Sequence, residues 1–100
     1  MNYIGKSINA NQIDGITTLT GKLYFYEEGY VFKAQSVNAI QDKPKVFYKD
    51  IEEIRLRKTL GIIPNGIIVC LKDGKCLNYV VTKRKEIVSF LNGMIKASEG

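Results

Sequence analysis

Two short clusters of cations are the residues of this chain with the plainest capacity for chemistry. They consist of Arg55, Arg57 and Lys58, and of Lys83, Arg84 and Lys85. Side chains of an extended strand alternate between its two faces, so Arg55 and Arg57 should share one face, with Lys58 in the loop that follows. Such a stripe suits an anion. The alternative is a solvent-exposed edge strand whose arginines deter pairing with another sheet.

The second cluster stands where a helix is predicted to begin. Cations there oppose the positive end of the helix dipole, at a cost of about 0.3–1 kcal/mol per exposed charge. An anion bound nearby would offset that cost. The alternative is that Lys83, Arg84 and Lys85 are ordinary surface side chains.

An apolar segment follows the first cluster and contains Leu60, Ile62 and Ile63. One interpretation is a loop tip that enters a membrane interface or a groove in a partner, with the cations at its rim. Each buried apolar side chain would then contribute about 1.5–3 kcal/mol, and each cation near an anionic surface about 1 kcal/mol. The other interpretation is that these residues cover the interior of the fold while Pro64 to Gly66 turn the chain into the next strand.

The composition argues against catalysis. The chain has no histidine, which excludes Ser/His/Asp and Cys/His arrangements. The carboxylates of Asp50, Glu52 and Glu53 are flanked by Lys49 and Arg55, as is typical of a charge-balanced strand end. Glycine-rich phosphate loops are absent, and two cysteines without histidine make a poor zinc site. We therefore expect a non-enzymatic protein with no catalytic residue, metal or cofactor.

The net charge of +5 is concentrated in the second half of the chain. Residues 1–53 carry six Lys/Arg and seven Asp/Glu (net −1), whereas residues 54–100 carry nine and three (net +6). This asymmetry favours an anionic partner, although solubility alone also selects net charge. Binding of single-stranded nucleic acid needs aromatic and basic side chains interleaved on one face, and the tyrosines Tyr24, Tyr26 and Tyr30 instead neighbour Glu27 and Glu28. The pattern argues against nucleic acid as a partner.

The two cysteines flank a predicted turn. If Asp73 and Gly74 form a two-residue loop, Leu71 pairs with Cys76, and the sulfur atoms of Cys70 and Cys76 point to opposite faces of the sheet. That register forbids a disulfide. A one-residue bulge would bring both sulfurs to one face, although only as a diagonal pair. We expect both cysteines to serve as buried apolar residues.

The secondary structure is predicted as strands followed by one helix. Thr20 to Tyr26 and Tyr30 to Gln35 form one hairpin, and Ile67 to Leu71 and Cys76 to Val81 form a second. Thr82 offers an N-cap for an amphipathic helix. The helix stripe consists of Ile87, Val88, Leu91, Met94 and Ile95. Short antiparallel strands closed by one C-terminal helix indicate a sandwich or a partly open barrel capped at one end.

The length of 100 residues and the hydrophobic content of 45% are typical of one globular domain, residues 1–100 with a core at about residues 7–97. No apolar run is long enough to span a bilayer. The N-terminal sequence lacks the pattern of a secretory signal, so we expect a cytoplasmic protein.

Several local strings, in this order, resemble a GRAM domain of the pleckstrin-homology-like superfamily. They are GKLYFYEEGYVFKAQSVN from Gly21, YKDIEEI from Tyr48, TLGIIPNGIIVCLKDG from Thr59 and VVTKRKEIVSFL from Val80. The resemblance covers about residues 10–92 and is most similar to small bacterial members of the family.

The resemblance implies a mainly β fold, in which a bent antiparallel sheet pair or partly open barrel of about seven strands is capped by one C-terminal helix. It also implies a binding module for lipid headgroups or protein surfaces. Residues 7–19 carry no Lys or Arg, which departs from the basic first hairpin of phosphoinositide-binding relatives.

The function expected from these observations is peripheral binding to an anionic phospholipid surface, at the inner face of a membrane, through the basic second half. The alternative is a protein-binding or self-associating domain, and hence a homo-oligomer, that uses an exposed strand edge.

Overall fold

In the computed structural model, which describes residues 2–35, 40–59 and 63–99, the chain forms one antiparallel sheet and one α-helix. The strands within these residues are β1 (Ser7–Asp14), β2 (Thr17–Phe25), β3 (Gly29–Gln35), β4 (Ile40–Asp42), β5 (Val46–Phe47), β6 (Ile51–Thr59), β7 (Ile63–Leu71) and β8 (Cys76–Val81). A 3₁₀ turn, Tyr48–Asp50, precedes β6, and the helix α1 spans Arg84–Glu99.

The strands are arranged in the order β4-β3-β2-β1-β8-β7-β6, and β5 also pairs with β3. β4 pairs with the end of β3 and β5 with its start, so the two together fill one strand position, interrupted around Pro44. Proline lacks the N–H group that a ladder requires. The described residues thus occupy seven strand positions, and the predicted fold class is confirmed: a mainly β, curled antiparallel sheet with one C-terminal helix.

The 3₁₀ turn connects the two free edges of the sheet. The Tyr48 N–H donates to the Glu28 carbonyl at 3.0 Å, in the β2–β3 hairpin. The Lys72 N–H donates to the Asp50 carbonyl at 2.9 Å, in the β7–β8 hairpin. Because the chain crosses here from edge strand β5 to edge strand β6, these bonds hold the sheet in a half-barrel.

The core lies on the concave side of the sheet, beneath α1. From the predicted apolar stripe of the helix, Ile87, Leu91 and Ile95 are buried there together with Phe90, and Val88 and Met94 pack against the core half-buried. The Phe90 ring lies 5.6 Å from Tyr3, 5.3 Å from Phe25 and 6.3 Å from Tyr48, measured between ring centroids. These edge-on contacts link the N-terminal segment, the sheet and the 3₁₀ turn through a single side chain on the helix.

Candidate functional site

Arg55 and Arg57 lie on the face of β6 that points away from the core, as the strand alternation predicts. Their pairing partners on β7 are Ile68 and Gly66. The ladder shifts register between Arg57 and Thr59, so Lys58 is an exposed residue of the strand at this irregularity rather than part of a following loop. β6 is an edge of the sheet, because β7 is its only pairing strand among the described residues.

The charge of Arg55 is compensated locally. Its Nε donates to Glu53 Oε1 at 2.6 Å, and both side chains are largely exposed. This hydrogen bond, together with the charge of the guanidinium, holds the pKa of Glu53 below its ordinary value. Arg55 is therefore a weaker attractant for an external anion than its sequence position suggests.

Arg57 differs from Arg55 because part of its guanidinium is shielded from solvent. Its Nε and Nη2 atoms are buried and have no hydrogen-bond partner among the residues that the structure describes. Gly66 lies opposite, and a Cβ atom there would stand 2.8 Å from the Arg57 carbonyl oxygen and 3.1 Å from the Arg57 Cβ. Buried N–H donors without acceptors are costly, more so when charged. An anion at this position would satisfy them.

The fold brings the second cation cluster to the first. Arg84, at the start of α1, donates from Nη1 to the carbonyl of Arg57 at 3.1 Å. The predicted N-cap at Thr82 is one residue too early. Lys83 is the residue that precedes α1, because its carbonyl accepts the Ile87 N–H at 3.1 Å, and it adopts a φ of 53°. The contact joins residues 27 positions apart in sequence.

We call the resulting area the basic surface; it consists of Arg57, Lys58, Lys83, Arg84 and Lys85. The ion pairs within residues 2–35, 40–59 and 63–99 are Lys45–Glu28 and Arg55–Glu53, so none involves the basic surface. Glu86 lies in the first turn of α1 and accepts the Tyr3 hydroxyl at 2.8 Å, which raises the pKa of Tyr3. Segments 57–58 and 83–86, which form the basic surface and its border, therefore contain one carboxylate and five cations.

Of the apolar residues predicted to accompany the cations, Leu60 and Ile62 lie outside the described residues. Ile63 is the first residue of β7, with its backbone paired to Thr59. Four large apolar side chains are exposed among the residues that the structure describes. Ile16, at the tip of the β1–β2 hairpin, is fully exposed and Leu56 on β6 is 59% exposed, whereas Tyr26 and Phe47 are exposed to a smaller degree.

The prediction for the cysteines is wrong. Cys70 is directly opposite Cys76, with Cα atoms 4.1 Å apart, and the two form a disulfide. Cys70 is buried and Cys76 is exposed, so the expectation of two buried apolar residues fails as well.

The cause is the length of the hairpin loop. Gly74 adopts a φ of 95°, and its N–H donates to the Leu71 carbonyl at 2.9 Å. The Leu71 N–H donates to the Lys75 carbonyl at 2.7 Å, so Leu71 faces Lys75 rather than Cys76. This is a three-residue loop with a left-handed glycine at its end, a geometry that the Lys-Asp-Gly sequence also permits. The next pair along the ladder is Cys70 and Cys76. It is a non-hydrogen-bonded pair, in which the two side chains lie close together.

The described part of the chain contains no cluster of three or more His, Cys, Asp or Glu residues that could hold a metal ion. None of its helices is both long and apolar enough to cross a bilayer.

Comparison with known proteins identifies the fold and no family. No family model matches the chain, and no curated protein sequence does. Among solved structures, the C-terminal domain of an unknown protein from Leishmania infantum is similar, with a TM-score of 0.77 and 18% identity over 93% of this chain and 84% of that one. Inner Membrane Complex Sub-compartment Protein 3 from Toxoplasma gondii has a TM-score of 0.66 and 12% identity over 94% and 77%. At these identities the likeness shows the fold alone.

Proposed function

We propose that this domain is a non-enzymatic interaction module that binds an anionic phospholipid surface peripherally through the basic surface. The observation that supports it most directly is Arg57, whose buried Nε and Nη2 donors have no partner in the described residues. Phosphate oxygens are strong acceptors for a guanidinium. The proposal also rests on the resemblance of the sequence to a GRAM domain, which implies binding to lipid headgroups or protein surfaces.

The expected affinity is low. Five cations less the one carboxylate of Glu86 leave four net charges, each contributing about 1 kcal/mol near an anionic membrane surface. A total of about 4 kcal/mol corresponds to a dissociation constant on the order of 1 mM. Insertion of Leu60, Ile62 or Ile63, at about 1.5–3 kcal/mol each, would strengthen binding into the micromolar range. The interaction should weaken with salt, since exposed charges are screened.

The test is cosedimentation with vesicles of phosphatidylserine and phosphatidylcholine against vesicles of phosphatidylcholine alone. The wild-type domain should bind the anionic vesicles at low salt. A variant with Arg57→Gln, Lys58→Gln and Arg84→Gln should lose this binding. A control with Lys33→Gln, Lys43→Gln and Lys72→Gln removes the same charge from β3, from the segment after β4 and from the β7–β8 loop, away from the basic surface, and should retain it.

Two results would contradict the proposal. One is the absence of binding to anionic vesicles at low salt. The other is equal loss of binding in the basic-surface variant and its control, which would mean that only net charge matters.

The second candidate is self-association or protein binding through β6. It is favoured by the position of β6 at a sheet edge and by the exposed Leu56. Sedimentation equilibrium should then show a mass that increases with concentration and returns to the monomer value in Leu56→Lys. A monomer at all concentrations would exclude self-association.

A further inference from the structure

A cavity of about 350 Å³ lies at the end of β8 remote from the basic surface. β8 runs from Cys76, which lines the cavity, to Val81, three residues before α1 begins. The basic surface therefore lies at the far end of this strand. The volume falls within the range of about 300–1,000 Å³ typical of small-molecule sites.

The lining of the cavity combines apolar side chains with charged side chains of both signs. The wall includes Phe32, Val46, Leu71, Leu77 and Tyr79, and the rim includes Asp14, Lys43, Lys45, Asp50 and Lys75. Lys45 is already paired with Glu28 at 2.5 Å. Two lysines then face two aspartates, so the rim has no net charge and selects against a strongly charged occupant.

One buried polar side chain lines this cavity. Gln12 lines it, is only 8% exposed, and has an Oε1 atom with no hydrogen-bond partner among the described residues. It lies opposite Tyr79 in the β1–β8 ladder. Buried polar side chains are nearly always hydrogen-bonded, so an orphaned amide oxygen on a cavity wall indicates an acceptor for a ligand.

The neighbouring tyrosines supply a neutral polar element. The Tyr30 hydroxyl donates to the Tyr79 hydroxyl at 3.0 Å, which leaves the Tyr79 O–H proton without an acceptor in the described residues. Burial raises the pKa of Tyr79 to about 12, so its phenol is uncharged at physiological pH. The cavity thus combines an uncharged interior with one amide acceptor and one phenol.

We propose that this cavity binds a small, uncharged, mainly aromatic molecule that donates one N–H or O–H hydrogen bond to Gln12 Oε1. The apolar wall would bury the body of the ligand, and the Gln12 amide would select for the donor. An analogue without the donor would leave Gln12 unsatisfied, and that is the basis of discrimination in sites of this kind.

Indole and benzofuran are suitable probes, because they are nearly identical in shape and benzofuran has a ring oxygen in place of the N–H group. Titration of the isotope-labelled domain, followed by amide chemical shifts, should show indole perturbing residues around Gln12, Phe32, Leu77 and Tyr79. Indole should bind about three- to tenfold more tightly than benzofuran, the ratio expected for one net hydrogen bond.

Gln12→Leu removes the acceptor while keeping the volume of the side chain similar. In this variant the two probes should bind equally. Gln35→Leu makes the same change at an exposed residue outside the cavity and should keep the preference for indole. The basic-surface variant described above should also keep it, which separates this site from the proposed lipid surface.

Three outcomes would overturn the proposal: no shift around the cavity with either probe, equal affinities for both probes in the wild type, or a preference for indole that survives Gln12→Leu. If Gln12→Leu does not fold, the comparison of the two probes with the wild type still decides.

Discussion

The two ends of β8 differ in how they could recognise a partner. At the end next to α1, the basic surface gathers five cations from β6 and from the helix start, and Arg57 and Arg84 are the two that are partly buried. At the other end, the cavity presents an apolar wall and a single orphaned amide, with rim charges that cancel. Binding at the first region would depend on long-range charge and should be sensitive to salt. Binding at the second region would depend on shape and one hydrogen bond and should be insensitive to salt.

The largest effect is expected at Phe90, which packs α1 against the sheet. Phe90→Ala should lower the free energy of unfolding by about 3–5 kcal/mol, because it leaves a cavity where three aromatic rings meet. Urea denaturation measures the change. Phe47→Ala is the matched control, since Phe47 is 38% exposed. Equal losses in the two variants would mean that α1 does not depend on Phe90.

The disulfide should contribute less to the free energy of unfolding than Phe90 does. Its loss should affect binding only at the cavity end of β8. Replacing both Cys70 and Cys76 by Ala opens a short loop, which costs about 2 kcal/mol in the chain-entropy description. Denaturation with and without a reductant gives the comparison. The reductant should destabilise the wild type and leave the double variant unchanged. Indole binding should weaken, because this hairpin forms part of the cavity wall, whereas binding to anionic vesicles should persist.

High pH should destabilise the domain through its buried phenols. The pKa of Tyr79 is raised to about 12 and that of Tyr30 is raised well above its ordinary value, in both cases mainly by burial. The unfolded chain releases these protons near pH 10. The two phenols therefore leave the free energy of unfolding unchanged below that pH and lower it as the pH rises above it. Each phenol contributes a slope of about 1.4 kcal/mol per pH unit.

The control for the alkaline prediction is Tyr79→Phe. Its unfolding free energy should decline less steeply between pH 10 and 12 than that of the wild type. Parallel declines would show that Tyr79 does not titrate differently in the folded state.

The smallest effect is expected at Glu53. Glu53→Gln breaks an exposed ion pair, so the unfolding free energy should change by less than about 1 kcal/mol. The released Arg55 would join the basic surface and strengthen vesicle binding by about fivefold, equivalent to about 1 kcal/mol per charge. Glu99→Gln makes the same charge change at the far end of α1 and should have no such effect. Unchanged binding in Glu53→Gln would exclude Arg55 from the interface.

The disulfide also bears on the expected compartment. Disulfides persist in oxidising environments and are rare in the cytosol. The cytoplasmic location expected from the N-terminal sequence and the Cys70–Cys76 bond therefore point in different directions. Counting free thiols in protein isolated under acid quenching would show which state the cell maintains.

Much of the fold could be predicted because its signals are local. Both hairpins follow from β-branched and aromatic runs separated by glycine-containing turns, and α1 follows from apolar residues at spacings of three and four. The register of the β7–β8 hairpin could not be predicted, because the same Lys-Asp-Gly-Lys segment accommodates a two-residue or a three-residue loop. One residue of loop length decided whether Cys70 faces Cys76.

The candidate sites could be predicted from the sequence to different degrees. The cations of the basic surface are visible as clusters, and their shared strand face follows from alternation. The difference between Arg55 and Arg57 could not be predicted from the sequence. It depends on the ion pair of Arg55 with Glu53 and on the position of Gly66 opposite Arg57 in the neighbouring strand. The role of Gln12 could not be predicted from the neighbouring residues, because an isolated glutamine in a polar strand gives no indication that it will face the core.

The sequence by itself determined a β-rich fold with a C-terminal amphipathic helix and a basic second half, since periodicity and charge are properties of neighbouring residues. Tertiary structure alone decided which distant groups meet: Arg84 with the carbonyl of Arg57, Cys70 with Cys76, and Gln12 with the wall of a cavity. These contacts depend on strand register and on the curl of the sheet, and both are set by the packing of the whole core.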